Sequence, residues 1–291
     1  MNTTDRRLFL KCAAGTGLGA VLLSRGCGAE PGSLPTGPTD NGDGNGAGSA
    51  RAWPAPYSKL DVETVRKRGH AEFYEGDCCY GAFHAIVESL AEIVGEPFSS
   101  FPSDMMRYGK GGMYGYGTLC GALNGASAAI QLATDEETAA KVITELLNWY
   151  ATAALPTDTA NQYAVNHEFL VDELKAEGAL PQSVAGNVLC HISVSKWCQE
   201  AGFASGSEER KERCARLAGD VAAKAVELLN EVHDETFVPA LTSLGEQAGC
   251  MACHKPGLDF SGGNFTQGKM NCTSCHVDPV FPPASVPAHG L

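Results

Sequence analysis

Two short segments near the C-terminus place two cysteines and a histidine at a spacing that suits covalent haem attachment. Each segment reads Cys-x-x-Cys-His. The two thiols of such a motif add to the vinyl groups of one haem, and the histidine becomes an axial ligand of the iron. The motifs therefore predict two c-type haems per chain, whereas a four-cysteine zinc site would need no histidine after both pairs. The predicted attachment residues are Cys250, Cys253, Cys272 and Cys275, and the predicted proximal ligands are His254 and His276.

The N-terminus has the features of a bacterial export signal. An Arg6-Arg7 pair precedes a short apolar run, which is too short to span a bilayer as a helix. This pattern is typical of twin-arginine export, so we expect residues 1–27 to be a signal and the protein to be periplasmic. Twin-arginine export moves folded proteins, often with a cofactor already bound, whereas haem c is attached on the outer side of the membrane. The combination suggests one kind of cofactor loaded inside the cell and another loaded outside. Cys27 lies in a sequence similar to a lipobox, so the signal ends either in a lipid anchor or in ordinary cleavage.

Composition divides the rest of the chain into a linker and two cysteine-bearing parts. Residues 28–56 are rich in Gly, Pro, Asp and Asn, which predicts a flexible tether. We expect a helical, cysteine-rich domain over 57–235 and a short dihaem segment over 236–291. The formal charge of the chain is -13. Such an acidic protein disfavours nucleic acid and favours basic partners, which would be other redox proteins.

Apolar periodicity indicates that the domain over 57–235 is mainly α-helical. One helix face begins at Cys79, and a second begins at Cys214 with Ser207 as a suitable N-cap. Residues 118–133 and 135–149 are also expected to be helical, and no run alternates as a strand would. The predicted fold is mainly α, with a loop-rich C-terminal dihaem segment. The face that begins at Cys79 continues through Ala82, Phe83, Ile86, Leu90 and Ile93.

Six further cysteines could bind a metal or form disulfides. Cys79 and Cys214 each begin the apolar face of a predicted helix, and a thiol near a helix N-terminus has a lowered pKa that favours metal ligation. Cys120 follows a glycine-dense loop over 109–117, which lets backbone approach a cofactor closely. Spacing alone leaves the alternatives open, because buried free thiols or disulfides would look the same. The six are Cys78, Cys79, Cys120, Cys190, Cys198 and Cys214.

The order of these elements resembles a known family. The similarity is to redox-active proteins named for their spaced cysteines and a Cys-Gly-Ala-x-x-Gly element. Joined to the two haem motifs and the twin-arginine signal, the whole chain resembles the split-Soret cytochrome c family. The residues that carry the resemblance are Cys79-Tyr80-Gly81-Ala82, the glycine-rich loop, Cys120-Gly121-Ala122-Leu123-Asn124-Gly125, Cys190 and Cys214-Ala215-Arg216-Leu217.

The resemblance implies a homodimer whose subunits each bind two bis-histidine haems lying close together. It implies that a histidine of one subunit can complete a haem of the other. It also implies an iron–sulfur centre, [2Fe–2S], held by cysteines of the helical domain. Cys198 could replace one ligand, and Cys78 adjoins Cys79, so the first ligand is open by one residue. The implied ligands are Cys79, Cys120, Cys190 and Cys214.

Bis-histidine haems would need two distal ligands from the histidines outside the haem motifs. We expect His167, which lies in a polar, loop-like stretch, and His84. His84 lies about 140° around its helix from Cys79, so it points away from the thiols. A methionine is the alternative sixth ligand. The candidates are Met270, Met251 and Met113.

These features together predict an electron-transfer protein that relays electrons between redox partners. The sequence has no apparent hydrolytic triad, dinucleotide fingerprint or phosphate loop. An iron with two axial ligands has no open position for a substrate. The alternative is an enzyme, a haem-based reductase of a small oxyanion or peroxide, which would require one iron with an open distal site.

Overall fold

Helices make up most of the part of the chain that the structure describes. The structure is a computed structural model, and it describes residues 53–240, 248–251, 254, 256–261, 264 and 267–274. The predicted signal and nearly all of the predicted tether lie outside these residues, as do Cys253, Cys275 and His276. The division into a helical domain and a dihaem segment stays a prediction.

The mainly α fold predicted from the sequence is confirmed. The α-helices are α1 (Val62–Val94), α2 (Gly121–Ala133), α3 (Glu136–Thr152), α4 (Asp158–Val165), α5 (Cys190–Ala201), α6 (Glu208–His233) and α7 (Ala248–Met251). Short 3-10 helices are Phe98–Ser100, Ser103–Gly109 and Cys272–Ser274. Strands β1 (Ala154–Leu155) and β2 (Ser183–Val184) pair antiparallel. Among the described helices, none is both long and apolar enough to cross a membrane.

Helix α1 is interrupted where the thiols begin. Gly76 and Asp77 have non-helical dihedral angles, and Asp77 has a φ of 63°. Cys78 therefore lies in the first turn of the second part of the helix. The apolar face predicted from Cys79 onward is buried except at Ile93, which is 58% exposed because it lies in the mostly exposed last turn.

Helix α6 packs against α1 more extensively than any other described pair of elements does. It is capped as predicted, because the Ser207 hydroxyl accepts a hydrogen bond from the Arg210 N–H at 3.3 Å. Its predicted apolar face is buried from Leu217 to Leu229. Gly219 permits the close approach of the two helices, because a Cβ there would lie 2.4 Å from the Arg66 carbonyl oxygen.

Apolar periodicity predicted two of the remaining helices, α2 and α3, and missed α4 and α5. Helix α3 begins after Asp135, whose carboxylate accepts the Thr138 N–H at 3.0 Å, and extends beyond the predicted end. Helix α2 begins only at Gly121, so the first residues of the predicted 118–133 segment are loop. Helices α4 and α5 were not predicted. Their buried positions are few, and in α5 they are Ser193 and Trp197 alone.

Charged side chains are buried between α1 and α6. Arg66 pairs with Asp220. Glu212 lies 2.9 Å from the His70 ring and 3.0 Å from Arg216. Each of these buried carboxylates therefore has a cation as a partner, which lets the two long helices bury charge where they meet.

Candidate functional site

Four cysteines from four segments lie near one another, three of them buried in the core and one, Cys190, partly buried. Cys78 lies in the second part of α1, Cys120 directly precedes α2, Cys190 begins α5, and Cys214 lies in the second turn of α6. Every pair among these four thiols interacts electrostatically. Each is a free cysteine. We refer to Cys78, Cys120, Cys190 and Cys214 as the thiol cluster.

Two further cysteines lie at the edge of the thiol cluster. Cys79 points toward the loop before α2, since a Cβ on Gly109 would lie 2.4 Å from the Cys79 Sγ. The cysteine that acts electrostatically on Cys79 is Cys120, and the one that acts on Cys198 is Cys214. The structure thus groups Cys78, and not Cys79, with the other three thiols. Adjacent residues differ by about 100° around a helix, which is why the choice between them was open in the sequence.

The glycine-dense loop brings backbone against the thiol cluster. A Cβ on Gly112, whose φ is +64°, would lie 2.9 Å from the Cys190 Cβ. A Cβ on Gly121 would lie 2.5 Å from the Cys78 Sγ. The Gly111 N–H donates a hydrogen bond to the Cys78 thiol. A side chain at Gly112 or Gly121 would press on the cluster cysteines, so the loop and the first residue of α2 both contact them, as the sequence suggested for the loop.

Two backbone hydrogen bonds fix the loops that carry Cys120 and Cys190. The Cys120 N–H donates to the Val188 carbonyl at 2.9 Å. The Cys190 N–H donates to the Thr118 carbonyl at 2.7 Å. Because the bonds run in both directions between the two loops, the two thiols are held at a fixed separation.

Burial keeps the thiols of Cys78, Cys120 and Cys190 protonated when no metal is bound, because it raises the pKa of each. Burial, followed by the charges of Cys120 and Cys214, raises the pKa of Cys78 well above its usual range. The same causes raise the pKa of Cys190 to about 12. The lowered pKa expected for Cys79 at a helix N-terminus is wrong, because burial raises its pKa to about 12. A metal must therefore displace these protons when it binds.

A buried polar group lies behind the thiol cluster. The Tyr150 hydroxyl donates to the Ser193 Oγ at 2.8 Å, and it is also hydrogen-bonded with the Cys120 thiol. Arg213 donates from Nη2 to the same Ser193 oxygen at 2.9 Å and interacts electrostatically with Cys214. A cation and two hydroxyl groups therefore lie beside the sulfur atoms.

The donor set of the thiol cluster fits an iron centre. Four thiolates are the usual ligands of an iron–sulfur cluster, and nearby hydrogen-bond donors and cations stabilise their negative charge. Within the described residues, no three or more His, Cys, Asp or Glu side chains are already gathered around a position for one metal ion. The thiols thus face one another without being closed around a single ion.

The two haem motifs come together in the described part of the C-terminal segment. Burial, and then the charge of Cys250 and a hydrogen bond with it, raise the pKa of Cys272. The first cysteines of the two motifs are therefore neighbours. The His254 N–H donates a hydrogen bond to the Cys250 carbonyl at 2.8 Å.

A pair of asparagines joins the second haem motif to the thiol cluster. Asn187, which is 1% exposed, donates to the Asn271 carbonyl at 3.3 Å. The Asn271 side chain donates to the Gly186 carbonyl at 3.3 Å. The Asn187 Oδ1 also accepts the Leu189 N–H at 3.0 Å, directly before Cys190. The loop that carries one cluster thiol thus binds the residue before Cys272.

The two expected distal haem ligands lie in different surroundings. The half-buried His84 ring stacks on Tyr80, with centroids 4.9 Å apart, and its Nδ1 is buried with no hydrogen-bond partner among the described residues. The His167 side chain is 75% exposed, and its Nδ1 lies 3.7 Å from the Glu177 carboxylate. Of the alternative methionines, Met113 and Met270 are exposed and Met251 is partly buried. The assignment of distal ligands stays a prediction.

Comparison with known proteins gives three matches. Residues 78–228 match the family described as "Putative redox-active protein (C_GCAxxG_C_C)". The chain is 34% identical over 263 residues to "Split-Soret cytochrome c" of Desulfovibrio desulfuricans, which covers 89% of this chain and 87% of that protein. It is also similar to the solved structure described as "A novel iron centre in the split-Soret cytochrome c from Desulfovibrio desulfuricans ATCC 27774". That similarity has a TM-score of 0.67 and 35% sequence identity, and it covers 76% of this chain and 89% of that chain.

The family match agrees with the structure at Cys78, and the chain differs from the family's pattern around Cys120. It begins at Cys78, the cysteine that the structure places in the thiol cluster. The family's element is Gly-Cys-Ala-x-x-Gly, so the Cys-Gly-Ala-x-x-Gly order expected for the family is wrong; in this chain Gly121 stands between Cys120 and Ala122. The chain therefore carries the cysteine one position earlier, and Cys120 nevertheless faces the other thiols.

Proposed function

We infer the function from the premise that this chain belongs to the split-Soret cytochrome c family. We propose that it is an electron-transfer protein that binds two covalently attached haems and an iron–sulfur centre. The observation that carries the proposal is a core cluster of four free thiols in a chain that also has two Cys-x-x-Cys-His motifs. Haems and iron–sulfur centres, when bound, accept and release single electrons.

The haems would be held by the two motifs of the C-terminal segment. The contact between Cys250 and Cys272 supports two haems lying close together. His254 and His276 follow the motifs at the position of the proximal ligand. Cys250 and Cys253 would bind one haem, and Cys272 and Cys275 the other.

The iron centre would be held by the thiol cluster. We propose Cys78 in place of Cys79 as the ligand from α1, because its thiol interacts with all three of the other cluster thiols. Cys198, which interacts with one of them, remains the substitute ligand. A [2Fe–2S] centre is the form we propose, since it takes four thiolates and the family resemblance implies it.

The asparagine pair gives the two kinds of centre a fixed relative position. Asn187 is buried and bonded on one side to Asn271 and on the other to the backbone ahead of Cys190. Electron transfer between centres depends on a short, constant separation, and buried side chains with satisfied hydrogen bonds provide rigidity. This link supports a relay within the subunit between the thiol cluster and the second haem motif.

The partners and location follow from the sequence. We propose a periplasmic homodimer, exported by the twin-arginine route, whose signal ends either in a lipid anchor at Cys27 or in ordinary cleavage. The acidic chain favours basic redox proteins as electron donors or acceptors. The exposed His167 is accessible to a haem of a second subunit, whereas the half-buried His84 would need its stacking on Tyr80 to change.

Absorption spectra and metal analysis test the proposal directly. We expect the reduced protein to be low-spin and unaffected by carbon monoxide, because under the proposal each haem iron would be held by two histidines. We expect iron in excess of haem iron, together with acid-labile sulfide. A high-spin component that shifts with carbon monoxide would contradict pure electron transfer and favour a reductase. Iron equal to haem iron in freshly purified protein would contradict the iron–sulfur centre.

A further inference from the structure

Arg213 is a buried cation that has no carboxylate partner among the described residues. The buried charged side chains among the described residues comprise three arginines and two carboxylates. Asp220 pairs with Arg66, and Glu212 pairs with Arg216 at 3.0 Å. Both buried carboxylates are thus taken, and Arg213 is the arginine that remains.

The direct contacts of Arg213 do not neutralise its charge. Its side chain is only 1% exposed. Its Nη2 donates to the neutral Ser193 hydroxyl at 2.9 Å, and its Nε is buried without a hydrogen-bond partner among the described residues. A buried cation is strongly unfavourable unless an opposite charge lies near it. The buried charge of Arg213 therefore calls for an anionic group close to its side chain.

The thiol cluster lies beside Arg213. Arg213 interacts electrostatically with Cys214, Cys120 and Cys190, and its side chain is also hydrogen-bonded with the Cys214 thiol. Each cysteine that ligates iron releases its proton to solvent and becomes a thiolate. A centre with four thiolates carries net negative charge, and this charge grows by one unit when the centre accepts one electron.

We propose that Arg213 is the counter-cation of the iron centre. Its charge offsets the thiolates, so it holds the bound iron and favours the reduced state of the centre. This inference rests on the proposed function, because it requires the thiol cluster to bind iron. Arg213 acts through the thiolates without ligating the metal, so it is a positioning residue.

The test compares Arg213→Met with Arg213→Lys in the full-length protein. Methionine is similar in length and flexible enough to fill the same space without charge. Lysine keeps the charge but loses part of the hydrogen bonding. Three quantities are measured: the rate of iron loss to a chelator, the midpoint potential of the iron centre, and the melting temperature with and without iron. Arg107→Met, which removes an exposed charge paired with Asp104, is the control for net charge.

We expect Arg213→Met to stabilise the iron-free protein or leave it unchanged, and to weaken iron binding in the iron-loaded protein. The iron-free form should melt at the same or a higher temperature than the wild type, because an uncompensated buried charge is removed. The iron-loaded form should lose iron about 10-fold faster or more, and its midpoint potential should fall. Arg213→Lys should lose iron more slowly than Arg213→Met, and Arg107→Met should resemble the wild type.

Three results would overturn the inference, and each is separable from failure of the proposed function. The first is iron loss and a potential in Arg213→Met equal to those of the wild type. The second is an iron-free Arg213→Met protein that fails to fold, because the arginine would then serve the fold. The third is equal iron loss in the lysine and methionine variants. If the wild type itself binds no non-haem iron, the proposed iron centre fails, and this inference fails with it.

Discussion

Replacing Cys78 or Cys79 by alanine tests which of these two adjacent cysteines binds the iron centre. Cys78 interacts with the three other cluster thiols, whereas Cys79 is acted on by Cys120 and points toward Gly109. We predict that Cys78→Ala abolishes binding of non-haem iron and that Cys79→Ala retains it. The haem content should be the same in both variants, because neither cysteine belongs to a haem motif.

The structure gives the expected magnitudes for the pair. Cys78 is 8% exposed and Cys79 is 0% exposed, so each substitution removes a buried sulfur of similar environment. Without iron, each should lower the free energy of unfolding by about 1–2 kcal/mol. With iron, Cys78→Ala also loses the stabilisation from binding, which is about 4 kcal/mol when the ligand is present at about 1,000 times its dissociation constant.

The assay is iron and acid-labile sulfide per haem, followed by urea unfolding of both forms. Two glycine variants provide a matched check, because they disturb the thiols without removing them. Gly121→Ala would bring a methyl group 2.5 Å from the Cys78 Sγ, and Gly109→Ala would bring one 2.4 Å from the Cys79 Sγ. Loss of iron in Cys79→Ala together with its retention in Cys78→Ala would refute the reasoning.

Three further predictions concern the residues around the site and in the core. Asn187→Ala should free the second haem motif from the helical domain and increase its cleavage by protease, while leaving the iron content unchanged; resistance equal to the wild type would contradict the link. Tyr150→Phe should lower the midpoint potential of the iron centre, because a hydrogen bond with Cys120 is lost, and should cost about 1 kcal/mol of unfolding free energy. Burial lowers the pKa of His70 below 6.5, so the unfolded state binds a proton first and the free energy of unfolding should fall as the pH drops below about 6.5, by at most about 1.4 kcal/mol per pH unit. His70→Gln should reduce this pH dependence of the free energy of unfolding, measured by urea unfolding at a series of pH values. An unchanged pH dependence would show that another group titrates.

Periodicity predicted the long helices because their buried faces repeat over many turns. The faces of α1 after Cys79 and of α6 after Cys214 are apolar at helical spacing, and both are buried. The first half of α1 was missed because Arg66 and His70 occupy its buried face. Both residues contact carboxylates of α6. The polar side chains that masked the apolar periodicity of α1 therefore also hold α1 against α6.

The thiol cluster could be predicted only in part. Its members come from four segments separated by dozens of residues, and spacing along the chain says nothing about which thiols meet. The glycine-dense loop was a useful signal, because contact with the thiols requires glycine at positions such as Gly112. The choice of Cys78 depends on the interruption of α1 at Gly76 and Asp77, which sets the phase of the second part of the helix. Arg213 gave no signal, since buried and exposed arginines look alike in a sequence.

The distribution of buried charge suggests an order of assembly. The charges of Arg66 and Arg216 at the contact between α1 and α6 are compensated without any cofactor, because each arginine has a carboxylate partner. The described helices should therefore fold before metal binds, and among the described buried arginines only Arg213 would still lack an opposite charge. Under the proposed export route, the folded domain would receive its iron centre before crossing the membrane, and the haems would be attached afterwards. Protein that accumulates without haem attachment should then already contain non-haem iron and acid-labile sulfide, and their absence from that protein would contradict this order.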